Sequence, residues 1–64
     1  MTLGQKVRYK RRKLHKCSYE IASDLSISPA TYSKIENDRF IPNTVLIDRI
    51  AAVLNVTPEY LTEA

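Results

Sequence analysis

The sequence is short of most features that mark an enzyme, a secreted domain or a membrane protein. Its single cysteine, Cys17, cannot close an internal disulfide, and neither a C-x-x-C pair nor a histidine cluster accompanies the lone His15. A disulfide framework and a structural metal are therefore not expected. No paired carboxylates and no Cys/His couple are placed for acid–base or nucleophilic work, so no catalytic residue, metal ligand or cofactor is assigned. Cys17 falls among lysines at a helix start, which leaves a redox role open beside plain capping. No apolar run approaches the roughly 20 residues that span a bilayer, and the first residues lack the apolar stretch of a signal peptide. The expectation is a cytoplasmic protein with no membrane partner. There is no internal repeat and no low-complexity linker, so residues 1–64 read as one domain. A chain this short buries only about 60% of its extended surface, which favours an oligomer.

Acid is absent as well from residues 1–19, which hold Lys6, Arg8, Lys10, Arg11, Arg12, Lys13 and Lys16. The remaining residues carry three bases and seven acids, so the net charge of +3 divides into +7 and −4. One end of the molecule is expected to seek a polyanion.

What the chain does contain is helical punctuation, and no strand is needed anywhere. Thr2 caps a helix over about 3–13, whose inward stripe is Leu3, Val7, the stem of Lys10 and Leu14. Cys17 or Ser18 caps a second helix over 18–25, with Glu20 near its positive end. Ser28 followed by Pro29 starts a third over 29–37, since proline at the first helical position loses no hydrogen bond that would have formed. Phe40 and Ile41, in the loop that follows, are expected to pack. Asn43 caps a fourth helix over 44–54 with a broad apolar face of Leu46, Ile47, Ile50, Ala51, Val53 and Leu54. Thr57-Pro58 repeats the start signal for a fifth over 58–62. Helices two and three flank the tight Ser26-Ile27-Ser28 turn, which is the helix-turn-helix pattern, with its second helix presented to the DNA major groove.

The whole run of motifs resembles the phage-repressor-like (lambda-repressor-like, XRE-type) helix-turn-helix family. The carrying residues are Leu3-Gly4, Val7 and Arg11; Ile21-Ala22 and Leu25; Ser26-Ile27-Ser28; Tyr32 to Asn37; Pro42-Asn43; and Ile50 to Thr57. They span residues 3–61 without a gap. Ser18 stands where the family usually has glutamine, and Ser26 and Asp38 stand where glycine is common. The resemblance implies an all-α fold, a compact five-helix domain with the helix-turn-helix at helices two and three, encoded by a bacterium or a phage.

It also implies roles. Base contacts would come from Pro29, Ala30, Thr31, Ser33 and Lys34, among which only Lys34 is a strong donor to guanine. Phosphate contacts would come from Ser18, Tyr19, Asn37, Arg39 and Asn43, with Lys6, Arg8 or Lys10 at the edge. Arg11 and Glu36 would form a buried ion pair, Tyr32 and Ile35 would face the core, and a dimer surface would use Val56, Pro58, Tyr60 and Leu61. The partner is double-stranded DNA, bound by a homodimer on a two-fold operator, with repression as the action and a regulatory protein partner as a further input. Glu20 and Asp24 are candidates for touching polymerase if the action is activation. Two rival readings stay open: an interaction module, or an antitoxin- or controller-type autoregulator, on the same fold. A third, a basic first helix lying on membrane or RNA, is opposed by the core's need for that helix's apolar stripe.

Overall fold

Short polar side chains ahead of each apolar run set where the helices begin. In the computed structural model, which describes residues 1–63, α1 spans Leu3–Lys13, α2 Ser18–Leu25, α3 Pro29–Glu36, α4 Thr44–Leu54 and α5 Pro58–Thr62. No strand is present among the described residues. Thr2 and Gln5 satisfy each other's backbone N–H groups in a capping box. Ser28 Oγ accepts from Thr31 N–H at 3.1 Å, Asn43 Oδ1 from Leu46 N–H at 2.8 Å and Thr57 Oγ1 from Tyr60 N–H at 3.2 Å. Each such cap contributes about 1 kcal/mol. α2 starts differently: the Glu20 carboxylate accepts from the Cys17 N–H at 3.0 Å, a bond that holds the Glu20 pKa down.

Every helix contributes to one core. Val7, Ile21, Leu25, Tyr32, Ile35 and Ile50 are all fully buried, and Leu54 and Leu61 retain 2% exposure. Burial of each large apolar side chain is worth about 1.5–3 kcal/mol. α3 ends at Glu36, with Asn37 as its cap, one residue earlier than the sequence pattern placed it.

Two packing expectations are corrected. The inward stripe of α1 includes Lys6, which is 8% exposed and donates from Nζ to the carbonyls of Tyr60 (2.9 Å) and Glu63 (2.7 Å). Its stem packs while its ammonium satisfies carbonyls at the end of α5, the place where a cation suits the helix dipole. In the α3–α4 loop, Phe40 is 43% and Ile41 84% exposed. Pro42 is the buried residue of that loop.

Glycine scarcity shapes the connections. His15, Ser26, Asp38 and Asn55 all have φ of 56° to 58°, the left-handed region in which a Cβ is disfavoured. The only glycine, Gly4, has a different task. A Cβ there would lie 2.5 Å from the Glu36 carbonyl oxygen and 2.6 Å from that of Ile35. The first turn of α1 therefore rests directly on the end of α3, the positive end of one helix dipole against the negative end of the other.

Candidate nucleic-acid interface

The outer face of α3 is set by what its inner face must bury. Tyr32, Ile35 and Glu36 turn inward, so helical spacing leaves Pro29, Ala30, Ser33 and Lys34 exposed, with Thr31 half-buried at the margin. The described chain covers none of those four exposed residues. Ser28 Oγ donates to Thr31 Oγ1 at 2.9 Å, which leaves the Thr31 hydroxyl hydrogen free to point elsewhere. The Lys34 ammonium makes no hydrogen bond or ion pair among the described residues. A hydroxyl pair, a methyl group and one cation are thus displayed on a single rod, a set matched to base edges in a groove.

The rod is fixed at its far end. Glu36 Oε2 accepts from Arg11 Nε at 2.6 Å, and Oε1 accepts from Arg11 Nη2 at 3.2 Å and from Arg8 Nε at 3.3 Å. Arg11 Nη1 also donates to the Lys16 carbonyl, tying α1, the α1–α2 connection and α3 together. Burial alone would raise the Glu36 carboxyl pKa, but the hydrogen bonds and charges of the two arginines outweigh it and hold the carboxyl below its ordinary value. The same contact holds Arg11 up. The Tyr32 hydroxyl is enclosed beside this group without reaching hydrogen-bond geometry with either partner, and burial pushes its pKa up.

A second tie involves Asp38. Its carboxylate accepts from Thr2 Oγ1 at 2.6 Å and from Gly4 N–H at 2.9 Å, bonds that lower its pKa. The residue that replaces a turn glycine thus supplies an acceptor to the first turn of α1. Arg49 Nη2 donates to the Leu25 carbonyl at 2.6 Å and closes the end of α2 at the helix-turn-helix corner. Neither contact carries a signal in local sequence, because both link residues more than twenty positions apart.

The residues expected to meet phosphate are placed unequally. Tyr19 is 70% exposed; Arg39 and Asn43 are exposed, and Ser18 is half-buried at the start of α2. Asn43 uses its carbonyl oxygen as a cap, which leaves its amide hydrogens available. Asn37 is exposed, but its amide is bonded on both sides: Oδ1 accepts from Arg8 at 3.0 Å and Nδ2 donates to the Ser33 carbonyl at 2.9 Å. Lys6 is withdrawn into the core, and Arg8 is held by Glu36 and Asn37. Lys10 has its ammonium 5.1 Å from the centre of the Tyr60 ring. Lys6 is corrected from an edge contact to an intrachain one, and Arg8 and Lys10 make intrachain contacts while keeping part of their surface in solvent. Among the proposed dimer residues, Val56, Pro58 and Tyr60 are half-buried. Leu61 is corrected: with 2% exposure its side chain belongs to the core and has none left for a partner.

A helix-turn-helix family model matches residues 8–61, most of the described chain. The chain belongs to the XRE-type helix-turn-helix family. Among relatives of this helix-turn-helix protein, the ImmF control region 10 kDa protein of Bacillus phage phi105 is 37% identical over 54 residues, 84% of this chain. The match spans 60% of that relative's length. Among solved structures, a chain of the SinR–SinI protein complex shares the fold with a TM-score of 0.88 at 22% identity. That match covers 97% of this chain and 61% of the other.

Proposed function

We propose that the protein is a sequence-specific DNA-binding transcriptional regulator that reads the major groove with α3. The observation that carries this reading is the uncovered face of α3, with Ala30, Ser33 and Lys34 exposed while its other face is held by the Glu36–arginine contacts. Membership of the helix-turn-helix family and likeness to a phage control-region protein support the same reading. Repression by occupying promoter DNA, and a two-fold operator with half-sites about 34 Å apart, complete the proposal. For the dimer we retain Val56, Pro58 and Tyr60 as contact residues; sedimentation at low micromolar concentration, with and without DNA, tests it, and a strict monomer on DNA refutes it.

Phosphate contact is proposed for Ser18, Tyr19, Arg39 and Asn43, and not for Asn37, whose amide is bonded within the chain on both sides; base contact is proposed for Pro29, Ala30, Thr31, Ser33 and Lys34. Selection of operators from random duplex DNA is the test. A symmetric consensus is expected, and binding without sequence preference refutes the reading. Lys34→Ala is expected to relax preference at one position per half-site, whereas Arg39→Ala weakens all sequences alike.

A further inference from the structure

Asn37 sits between α1 and the reading face, and its amide can take only one orientation. Arginine is a donor only, so the atom facing Arg8 Nη2 at 3.0 Å is the carbonyl oxygen Oδ1. The Ser33 carbonyl is an acceptor only, so the atom facing it at 2.9 Å is the amide nitrogen Nδ2. Both neighbours demand the same orientation. The nitrogen then also lies 3.4 Å from Ser33 Oγ, to which it donates. A hydroxyl that accepts one bond on its inner side keeps its own hydrogen and a single lone pair for the outer side, which tilts it toward donating. Arg8 is itself seated by Glu36 Oε1 at 3.3 Å, and its side chain keeps 37% exposure, so it is held within the chain without being sealed from solvent.

We propose that Arg8 is a positioning residue for base reading, which by fixing Asn37 presents the Ser33 hydroxyl to the groove as a hydrogen-bond donor. This rests on the DNA-binding reading above and deepens it. The base edges that suit a donor are guanine N7 and O6, adenine N7 and thymine O4, whereas cytosine offers its N4 donor. The operator position facing Ser33 is therefore biased toward a base that offers an acceptor and against cytosine, through a side chain on α1 that touches no base. A phosphate-binding Arg8 would behave otherwise: it would add the same affinity to every sequence and steepen the dependence on salt.

The test has two arms. In the free protein, the side-chain amide of Asn37 is followed by NMR relaxation in wild type and Arg8→Met. Positioning requires the amide to be ordered in wild type and mobile in the variant, and an unchanged amide overturns the proposal without reference to DNA. In the second arm, selected operators are measured across a salt series. Arg8→Met is expected to lose up to about tenfold of the discrimination against cytosine at one position per half-site while keeping the wild-type salt slope. In a Ser33→Ala background it is expected to change base preference no further. Uniform weakening with a slope shallower by about 0.9, or an undiminished effect in the Ser33→Ala background, overturns it. Should Arg8→Met melt too early to assay, Arg8→Lys keeps the charge near Glu36 while losing the planar fork, and the same comparison is made with it. A wild type that selects no consensus refutes the DNA reading and the base-reading role with it, and the first arm still reports whether Arg8 orders Asn37.

Discussion

Replacing Gly4 by alanine tests whether the seat of α1 on α3 is as tight as its geometry indicates. Two effects oppose one another. Alanine is the better helix former by up to about 1 kcal/mol, although at the second position of α1 that gain is smaller. Against it, the new Cβ would stand 2.5 Å and 2.6 Å from two backbone carbonyl oxygens and 2.8 Å from Asp38 Oδ1. Backbone carbonyls at a helix end cannot swing aside as a flexible side chain can, so the first turn of α1 has to back away. Overpacking of this kind costs about 1–3 kcal/mol. The displacement also weakens the Gly4 N–H bond to Asp38, a bond to a charged acceptor. Sterics win, and we expect Gly4→Ala to lower stability by about 1–3 kcal/mol net. For a domain of this size each kcal/mol moves the melting temperature by about 4–8 °C. Thermal unfolding followed by far-UV circular dichroism reads the change directly, with Arg12→Ala, at an exposed position of the same helix, as a control for the helix itself. A Gly4→Ala protein that melts at or above the wild-type temperature would show that α1 can shift without loss, and the tight α1–α3 seat would have to be given up.

The left-handed positions give predictions of opposite sign. Ser26→Gly removes strain at φ 58° and touches no side-chain bond, so it is expected to raise stability by about 1 kcal/mol in a thermal melt. Asp38→Gly relieves the same kind of strain but deletes the acceptor of both the Thr2 hydroxyl and the Gly4 N–H, so no gain is expected from it; equal gains from the two variants would refute the Asp38 contacts. Glu36→Gln is expected to cost about 1–3 kcal/mol at neutral pH, below the range for fully buried pairs because both arginines keep solvent access. The folded Glu36 carboxyl titrates below its ordinary 4.5, so its stabilisation is complete above that pH and is lost as pH falls through the folded value. Wild-type melting temperature should therefore fall on the acid side more steeply than that of Glu36→Gln, and parallel acid limbs would contradict the ion-pair account.

The fold was legible because its signals are local. Thr2, Ser28, Asn43 and Thr57 each stand immediately before a periodic apolar run, and a cap acts within three residues of itself. The inward places of Tyr32 and Ile35 follow from the same spacing. What stayed hidden depends on partners far along the chain. Lys6 is a lysine on a basic helix, and only the arrival of α5 beside it turns its ammonium into a carbonyl clamp. Phe40 and Ile41 look like core residues by composition, yet after the left-handed turn at Asp38 they lie outside and Pro42 is the buried residue. Arg8 and Asn37 both carried phosphate expectations because exposed polar residues near a reading helix look alike, and distances alone reveal that they hold each other.

The distribution of charge is where sequence and structure diverge most, and the difference can be measured. Seven bases without an acid suggest a broad phosphate-binding surface, but most of them are engaged inside the chain. Arg11 and Arg8 hold Glu36, Lys6 holds two carbonyls, Lys10 and Lys13 lie over tyrosine rings, and Lys16 is 3.7 Å from Asp24. Lys34 and Arg39 beside the reading face, and Arg12 on α1, make no side-chain hydrogen bond, ion pair or ring contact among the described residues. If these three alone displace counterions, log K should fall with log salt at a slope of roughly −3 per protomer. If Arg8, Lys10, Lys13 and Lys16 also met phosphate, seven cations would take part and the slope would approach about −6. The shallow value follows from the contacts, since a lysine held over a ring or an arginine bound to a carboxylate has to break that contact to reach DNA. A slope near −6 would mean that those contacts give way on binding and that the N-terminal bases clamp the duplex after all.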